Sequence, residues 1–250
     1  IKDFFQNNSV ETKVMNSYYG SDVNTPINLK NEKTIFSDES TIETAYQYAY
    51  EKGNQKLIDA NMVGIPLDTE VKKDGKTISK AETKYDNPVN LLPSSVLSYN
   101  MQSNTPSTEV TYDIYDGKRN LIQYTTKAGV STSIIWGYNQ TQPIAKIEGA
   151  KLSDITQTLI NSIVNASDDT NANYSESTLL NQLDAFRIAL PNFQISTYTY
   201  KPLIGVTTIT PPSGIREYYF YDTANRLESV KTNENGVLTT LKEYQYHYKP

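Results

Sequence analysis

The sequence contains no cysteine and a single histidine, His247. Without cysteine the chain cannot form a Cys-His dyad or a conventional His/Cys zinc site. A Ser-His-Asp triad would have to be built on His247, and that residue is better interpreted as an ordinary position in the strand-like stretch YQYHY. An enzyme is therefore the function class that the sequence supports least, and we expect no catalytic residue and no cofactor.

Long apolar runs and basic runs are also missing. No stretch approaches the roughly 18 consecutive apolar residues of a membrane-spanning helix, so we expect no membrane span. The formal net charge is -5 and Lys and Arg do not cluster, which argues against nucleic acid as a partner. Carboxylates are scattered and no phosphate-binding glycine pattern occurs, so glycosidase and nucleotide chemistry have no anchor in the sequence.

One oxygen-rich cluster lies in a polar stretch between two segments with apolar periodicity. It consists of Asp168 and Asp169 together with Asn165, Asn171 and Asn173. Carboxylate and amide oxygens suit calcium, but the spacing differs from that of an EF-hand loop. We favour a solvated loop here, and a calcium site at Asp168 and Asp169 is the alternative.

Tyrosine is abundant: the chain has 20 tyrosines, compared with six phenylalanines and one tryptophan. Tyrosine favours half-buried pleated surfaces on which its hydroxyl can reach a partner, so strands should outnumber helices. We predict a mainly β fold, an antiparallel sheet of repeated β-hairpins, with an α-helical hairpin inserted into it.

Residues 1–95 are predicted to form an irregular N-terminal α/β segment. The stretch TIETAYQYAY at 41–50 alternates its tyrosines as a strand would, although its Ala and Glu content leaves a helix open. Residues 54–62 (NQKLIDANM) are typical of a short helix. Residues 71–79 (VKKDGKTIS) are typical of a hairpin in which Asp74-Gly75 is the two-residue turn.

Residues 151–191 carry the period of two amphipathic helices. Apolar residues recur at steps of three and four in two stripes, which are Leu152, Ile155, Leu159, Ile160, Ile163 and Val164, then Leu179, Leu180, Leu183, Phe186 and Leu190. Ser153 is the expected N-cap of the first helix, and Pro191 closes the second. The pattern predicts an antiparallel helical hairpin between two β regions.

Residues 96–250 contain an internal repeat. The heptapeptide YDGKRNL at 115–121 aligns with YDTANRL at 221–227, a third copy covers 198–206, and a fourth begins at 244. Self-similarity at a spacing of 21 residues, as between Tyr200 and Tyr221, is typical of a repeat architecture with one hairpin per unit. The structural repeat positions are Tyr115, Asp116, Leu121, Tyr200, Gly205, Tyr219, Tyr221, Asp222, Arg226, Leu227 and Gly236.

The repeat predicts a definite turn. An aromatic strand leads into an Asp that bonds nearby backbone amides, a residue at positive φ follows, and the return strand ends at a glycine turn. Asn225 suits the positive-φ position, whereas Arg119 at the equivalent place does not, so that turn is expected to differ. Leu227 and Val230 are three residues apart, and they share a face only if a bulge or a tucked leucine lies between them.

The stretch Tyr219-Phe220-Tyr221-Asp222 followed by Asn225-Arg226-Leu227 and Gly236 resembles the tyrosine-aspartate repeat of RHS-repeat proteins. The segments WGYNQTQPIAKI and YTYKPLIGVTTITPPSGI further resemble RHS-like proteins of Bacteroidetes bacteria. The resemblance covers roughly residues 96–250 without the helical hairpin, with a weaker likeness back to about residue 41. Three features depart from the family pattern: Asn225 and Arg119 replace the usual glycine, Lys201 replaces the Asp, and two helices interrupt the array.

The resemblance implies a β ribbon that winds into a hollow shell and, in some members, encloses a C-terminal toxin or effector. Such proteins are typically large, exported and surface-associated, so we expect a secreted or cell-surface location. The chain begins at Ile1 and stops after Lys249-Pro250, which we interpret as a piece of a longer protein. Its expected partner is the remainder of that chain or a cell-envelope assembly.

Two aromatic residues keep a binding function open. Trp136 stands beside Tyr138 in IIWGYN, where the pair could form a platform for stacking sugars. A tryptophan buried in a strand is the interpretation we favour for Trp136. The competing hypotheses are thus a non-catalytic structural or encapsulating segment and a surface adhesin or carbohydrate-binding module.

Overall fold

The computed structural model describes residues 2–5, 8–20, 26–169, 176–234 and 236–246. The chain divides into two compact units, Ile1–Tyr112 and Asp113–Pro250. The division falls inside a strand, Pro106–Tyr115.

The first unit consists mainly of strands. Their bounds are β1 Lys2–Phe5, β2 Asn8–Glu11, β3 Lys13–Tyr18, β4 Leu29–Ile35, β5 Thr41–Gln47, β6 Asp68–Lys73, β7 Lys76–Lys84, β8 Ser95–Tyr99 and β9 Pro106–Tyr115. β1 pairs with β2, and β3 to β9 pair antiparallel in sequence order. Residues 1–95, where we expected irregular α/β structure, thus contain a regular antiparallel meander. The sequence concealed β3 because all of its side chains are exposed and none repeats a buried apolar position.

The local predictions in this unit are largely confirmed. The stretch at 41–50 forms a strand over Thr41–Gln47. Asp74 and Gly75 connect β6 and β7 with φ of 49° and 77°, the positive values that a type I′ turn requires. The helix predicted at 54–62 is shorter, because α1 spans only Gln55–Asp59 after its cap at Asn54.

In its described residues, the second unit contains eight further strands and two longer helices. Their bounds are β10 Leu121–Thr126, β11 Ser131–Gly137, β12 Gln142–Glu148, α2 Gln157–Asp168, α3 Glu176–Ala189, β13 Gln194–Lys201, β14 Gly205–Thr210, β15 Glu217–Tyr221, β16 Leu227–Glu234 and β17 Val237–Glu243. The strands pair antiparallel in sequence order, and both helices lie between β12 and β13. The predicted fold class, antiparallel β with a helical hairpin insertion, is confirmed.

The start of the helical hairpin differs from the prediction. Leu152–Asp154 form a separate 3-10 turn, and the extended backbone of Ile155 interrupts it before α2 begins at Gln157. Ser153 is therefore not the N-cap of α2; that position belongs to Thr156. A step-of-three pattern continues through a 3-10 turn and an α-helix alike, which is why the break was invisible in the sequence.

The core of the second unit lies between the helical hairpin and the sheet. Except for Leu180, the residues of the predicted stripes belong to this core, and Ile163, Leu183 and Phe186 are buried in it together with Ile144 and Ile147 of β12. Each such side chain contributes roughly 1.5–3 kcal/mol through burial. The insertion is therefore part of the core that stabilises the sheet.

A bulge recurs at one position in several hairpins. On the return strand, one extra residue follows the residue that pairs with the last or second-last residue of the outgoing strand. The extra residues are Lys30, Ile144, Thr207 and Glu228. Glu228 lies between Leu227 and Val230, which provides the bulge that their spacing required. Each bulge bends its strand and increases the local right-handed twist.

Candidate functional site

The tyrosine-aspartate turn is built around the carboxylate of Asp222. Its Oδ1 accepts the backbone N–H groups of Ala224 (2.8 Å) and Arg226 (2.9 Å). The Asp222 carbonyl accepts the N–H of Asn225, while the Asp222 N–H donates to the Arg226 carbonyl. Hydrogen bonds from the Arg226 backbone and guanidinium lower the pKa of the Asp222 carboxyl. The carboxylate thus holds a three-residue hairpin loop in place.

The Asp116 turn has the same geometry. Asp116 Oδ1 accepts the N–H groups of Lys118 and Asn120, both at 2.8 Å. Arg119 has a φ of 71°, close to the 59° of Asn225. The expectation that Arg119 would change this turn is therefore wrong: the carboxylate and the strand pairing impose the left-handed conformation on a residue that disfavours it.

The third copy makes a different turn. Lys201 stands in place of the Asp, and its carbonyl accepts the N–H of Ile204 at 3.0 Å. The positive φ moves one place earlier, to Leu203 at 66°, directly after Pro202. Proline followed by a residue at positive φ is typical of a type II turn. The turn at Lys201 therefore has the same length as the turns at Asp116 and Asp222, but without the carboxylate it adopts a different backbone conformation.

Hydrogen bonds from aromatic side chains connect several hairpins to the preceding one. An aromatic residue at or near the end of an outgoing strand donates from its ring to a carbonyl in the first two residues of the previous return strand, an interaction that we name the aromatic clasp. The donor and acceptor pairs of the second unit are Trp136 to Leu121 (3.0 Å), Tyr200 to Pro143 (3.0 Å), Tyr221 to Val206 (2.8 Å) and Tyr246 to Leu227 (2.8 Å). In the described part of the first unit, Tyr48 donates to Leu29 in the same way (2.7 Å).

The bulges explain why a clasp is needed. In the hairpins with a defined register, the acceptor carbonyl belongs to the residue immediately before the bulged one: Pro143, Val206, Leu227 and Leu29. A bulge disrupts the hydrogen-bond ladder locally, and a half-buried carbonyl needs another donor. The ring of the next hairpin provides it. The bulge thus leaves a carbonyl without a partner in the strand ladder, and the aromatic clasp supplies the missing donor.

Gly205 makes room for one of these rings. A Cβ atom on Gly205 would lie 2.9 Å from Cζ of Tyr221, although the backbone of Gly205 is not in the left-handed region. Burial raises the pKa of Tyr221 and raises the pKa of Tyr200 to about 12. Both phenols therefore remain protonated donors at neutral pH, as the clasp requires. Tyr219 instead donates to Glu217 at 2.6 Å, within its own strand.

Trp136 and Tyr138 occupy structural positions. The indole N–H of Trp136 is bonded to the Leu121 carbonyl. Tyr138 packs edge-on against Tyr200 with ring centroids 5.7 Å apart, and its hydroxyl accepts the Tyr200 N–H at 2.9 Å. Trp136 also lines a groove of about 310 Å³ between the sheet and α2, beside Gln140. The two aromatic residues thus face different neighbours and do not form one platform.

Asp168 holds the end of α2 on a hairpin turn. Its Oδ1 accepts the Asn139 N–H at 2.7 Å, next to Ser167, whose hydroxyl accepts the Tyr138 N–H at 3.2 Å. Within the described ranges, no group of three His, Cys, Asp or Glu side chains is positioned to hold a metal ion. The residues 171 and 173 of the proposed calcium cluster, and His247, lie outside the described part of the chain.

Polar contacts dock α3 on the sheet. The guanidinium of Arg187 donates to the carbonyls of Ile195, Thr210, Pro211 and Pro212, and burial lowers its pKa. At the other end of the helix, Glu176 accepts hydrogen bonds from Thr199 and Thr207. Arg216 forms an ion pair with Asp184. These contacts fix the helical hairpin in one orientation.

Sequence reasoning missed a charged cluster in the first unit. Asp68 and Glu82 are both only 4% exposed, and Lys52 contacts them at 3.4 and 2.7 Å. Burial opposes the charged form of Glu82, but hydrogen bonds from Lys52, Tyr99 and Lys84 outweigh it and lower the pKa of the carboxyl to about 2. The cluster borders a pocket of about 420 Å³. The acidic residues of this cluster alternate with lysines along the strands. Because exposed sheet faces have the same pattern, the sequence did not reveal that the cluster is buried.

The fold and these contacts define the class of the protein: an antiparallel β-hairpin repeat protein with a docked helical hairpin, whose repeat residues hold turns and join hairpins. Helices that are long and apolar enough to cross a membrane do not occur in the described part of the chain.

No family model and no curated protein matches the chain. Among solved structures, the crystal structure of TcdB2-TccC3-Cdc42 matches 87% of the chain with 12% identity and a TM-score of 0.41. The crystal structure of TcdB2-TccC3 without its hypervariable C-terminal region matches 96% of the chain with the same identity and TM-score. A Tc holotoxin pore of Photorhabdus luminescens matches 87% with 12% identity and a TM-score of 0.37. In all three, the chain spans only 12% of the length of the matched chain.

Proposed function

We propose that this chain is a non-catalytic structural segment of a larger, exported RHS-like protein, in which it forms part of an encapsulating wall. The observation that carries the proposal is the aromatic clasp, repeated at the same place in successive hairpins. The groups that could do chemistry are used structurally. Asp116 and Asp222 hold turns, and the phenols of Tyr200 and Tyr221 bind backbone carbonyls.

The resemblance of the turns to tyrosine-aspartate repeats supports a wall rather than an isolated domain. A sheet that adds one hairpin per repeat can grow without a new core for each unit, since each hairpin contacts only its neighbours. The repeated bulges twist their hairpins in the same sense, which favours a winding sheet. The partner is the remainder of the same chain or a cell-envelope assembly, and the location is secreted or cell-surface.

Intact-mass measurement of the native protein together with its full gene sequence tests this proposal. The expected result is a native chain much longer than 250 residues, recovered in the medium or the envelope fraction. Limited proteolysis of that protein should then leave an enclosed segment intact while the same segment, produced alone, is digested. A native chain of only 250 residues, or a segment digested equally in both settings, would rule out the encapsulating role.

The second candidate is a surface adhesin or carbohydrate-binding module, motivated by the groove beside Trp136. Its lining includes apolar side chains such as Ile134 and Ile160 together with the amide of Gln140, a combination that suits a ligand with an apolar face and hydroxyl groups. Glycan-array binding that is lost in Trp136→Phe but retained in Tyr138→Phe would favour this function. Trp136→Phe keeps an aromatic ring at this position but loses the clasp to the Leu121 carbonyl, so circular dichroism must show that the variant is still folded.

A further inference from the structure

The pocket of about 420 Å³ in the first unit is lined by two lysines that share one carboxylate. Lys52 and Lys84 both contact Oε1 of Glu82, at 2.7 and 3.0 Å. Their ammonium nitrogens are therefore no farther apart than the sum of these distances, 5.7 Å. The other oxygen of Glu82 accepts the Tyr99 hydroxyl at 2.7 Å. A single carboxylate thus contacts two ammonium groups in the lining of one pocket.

The wider cluster does not neutralise this positive charge. Asp68 adds a second carboxylate, but Lys80 adds a third ammonium group, 3.5 Å from Asp68. Hydrogen bonds keep the pKa of Glu82 at about 2, so its carboxylate is ionised at neutral pH. Three lysines therefore face two carboxylates, and one positive charge is left over beside the pocket.

Both ammonium groups of the lining keep hydrogen-bond donors for a ligand. An ammonium group has three donors. Among the described residues, the Lys84 side chain contacts Glu82 alone, and the Lys52 side chain contacts Glu82 and Asp68. Two donors of Lys84 and one of Lys52 therefore remain, and together they suit the oxygen atoms of a carboxylate or a phosphate.

The wall of the pocket is held in place by another lysine. Lys56 also lines the pocket, and its ammonium group donates to the carbonyls of Tyr85, Asn87 and Asn90 at 2.8, 2.6 and 2.9 Å. All three of its donors are used, so this loop needs little reordering when a ligand enters. Asp86 belongs to the lining as well, but it is exposed and solvent screens its charge.

We propose that this pocket binds a small organic molecule that carries one oxyanion, a carboxylate or a phosphate, between Lys52 and Lys84. The volume lies near the lower end of the roughly 300–1,000 Å³ of small-molecule sites, so the ligand is about the size of a monosaccharide. Its uncharged part lies against Leu67, Tyr85 and Pro88, which add apolar surface to the lining. This binding site does not depend on whether the chain forms part of a wall.

A titration followed by nuclear magnetic resonance tests the inference with three probes of similar size, at constant ionic strength. The probes are glucose 6-phosphate, glucuronate and uncharged glucose. We expect saturable shifts in the backbone amides of residues 52–56 and 82–86 with at least one of the two acids, and none with glucose. The acid that binds identifies the oxyanion. The absence of a saturable shift with both acids, or an equal response to glucose, would overturn the inference.

Lysine variants show whether the two ammonium groups hold the ligand. Lys84→Gln should weaken binding of the acid at least about tenfold, because it removes a charged donor while Lys52 and Tyr99 still satisfy Glu82. Lys52→Gln should give a similar loss and provides a second variant. Lys76→Gln, at an exposed position outside the pocket, changes the net charge equally and should leave binding unchanged. An equal loss in Lys76→Gln and Lys84→Gln would contradict the site, and no outcome bears on the native chain length.

Discussion

The ring of Tyr221 fills the space in which a side chain on Gly205 would lie. A Cβ atom at Gly205 would be 2.9 Å from Cζ of Tyr221 and nearer still to the hydroxyl. The Tyr221 hydroxyl needs this position to reach the Val206 carbonyl, one residue further on. The glycine is thus required by a neighbouring hairpin and not by its own backbone conformation.

We expect Gly205→Ala to lower the free energy of unfolding by about 1–3 kcal/mol, because an aromatic ring with two χ angles cannot move aside cheaply. Chemical denaturation measures the change. Gly117→Ala is the matched control, since nothing lies within 4 Å of its Cβ position. Adding Tyr221→Phe should make part of the Gly205→Ala cost disappear. Simple additivity of the two costs would contradict the proposed contact.

Loss of a clasp hydroxyl should cost stability without changing the fold. Tyr200→Phe leaves the Pro143 carbonyl without its donor, so we expect the free energy of unfolding to fall by about 0.5–1.5 kcal/mol. Tyr18→Phe removes a hydroxyl from a side chain that is 55% exposed and should have little effect. Urea denaturation of both variants provides the comparison, and equal stability of the two would argue that the clasp contributes nothing.

Leu203 should be replaceable with a gain in stability. It has a φ of 66° and a fully exposed side chain, so it carries backbone strain without a packing contact in return. We expect Leu203→Gly to raise the free energy of unfolding by about 0.5–1 kcal/mol. Leu203→Ala retains the strain and should give no gain. Thermal unfolding distinguishes the two variants, and a loss of stability in Leu203→Gly would contradict the assigned strain.

The stability of the first unit should depend on acid pH through Glu82. Its pKa is about 2 when folded and 4.5 as the ordinary value, so the stabilisation is fully present above pH 4.5 and is lost as pH falls towards 2. The loss amounts to about 3 kcal/mol at most. Glu82→Gln should flatten the change in urea midpoint between pH 6 and pH 3. An unchanged slope in that variant would show that other carboxyls are responsible.

The packing of the helical hairpin against the sheet should weaken when Arg187 is replaced by a residue that makes fewer hydrogen bonds. Lysine cannot contact the separated carbonyls of Ile195 and Pro211 as a planar guanidinium does. We expect Arg187→Lys to cost about 1–3 kcal/mol and to speed hydrogen exchange in α3. Arg119→Lys, at an exposed turn, should stay within about 0.5 kcal/mol of the parent chain. Unchanged α3 exchange in Arg187→Lys would contradict the docking role.

The fold class could be read from the sequence because turn chemistry and periodicity are local. Asp222, Asn225 and the stripe through Leu183 predict their structures from neighbours a few residues away. The aromatic clasps could not be predicted in this way, since a tyrosine that packs and a tyrosine that binds a carbonyl on another hairpin look alike in sequence. The left-handed Arg119 was missed for a related reason, because propensity was overridden by a carboxylate and a register set elsewhere.

In the candidate site, too, some contacts could be predicted from local sequence and others could not. The turn-forming place of Asp116 follows from its residue type, and the structure gives its contacts. The Lys52–Glu82 contact joins residues that are thirty positions apart, so no local sequence pattern predicts it. Charged residues alternating along a strand are common on solvated faces, and only the folded structure shows which of them are buried.

The aromatic clasps of the second unit all point in one direction along the chain. Trp136, Tyr200, Tyr221 and Tyr246 each bind a carbonyl that precedes them in sequence. During synthesis, each acceptor therefore leaves the ribosome before its donor, and a newly emerged hairpin finds its binding position already formed. As far as the aromatic clasps are concerned, the sheet can therefore be assembled one hairpin at a time, since each new ring binds a carbonyl that has already been synthesised.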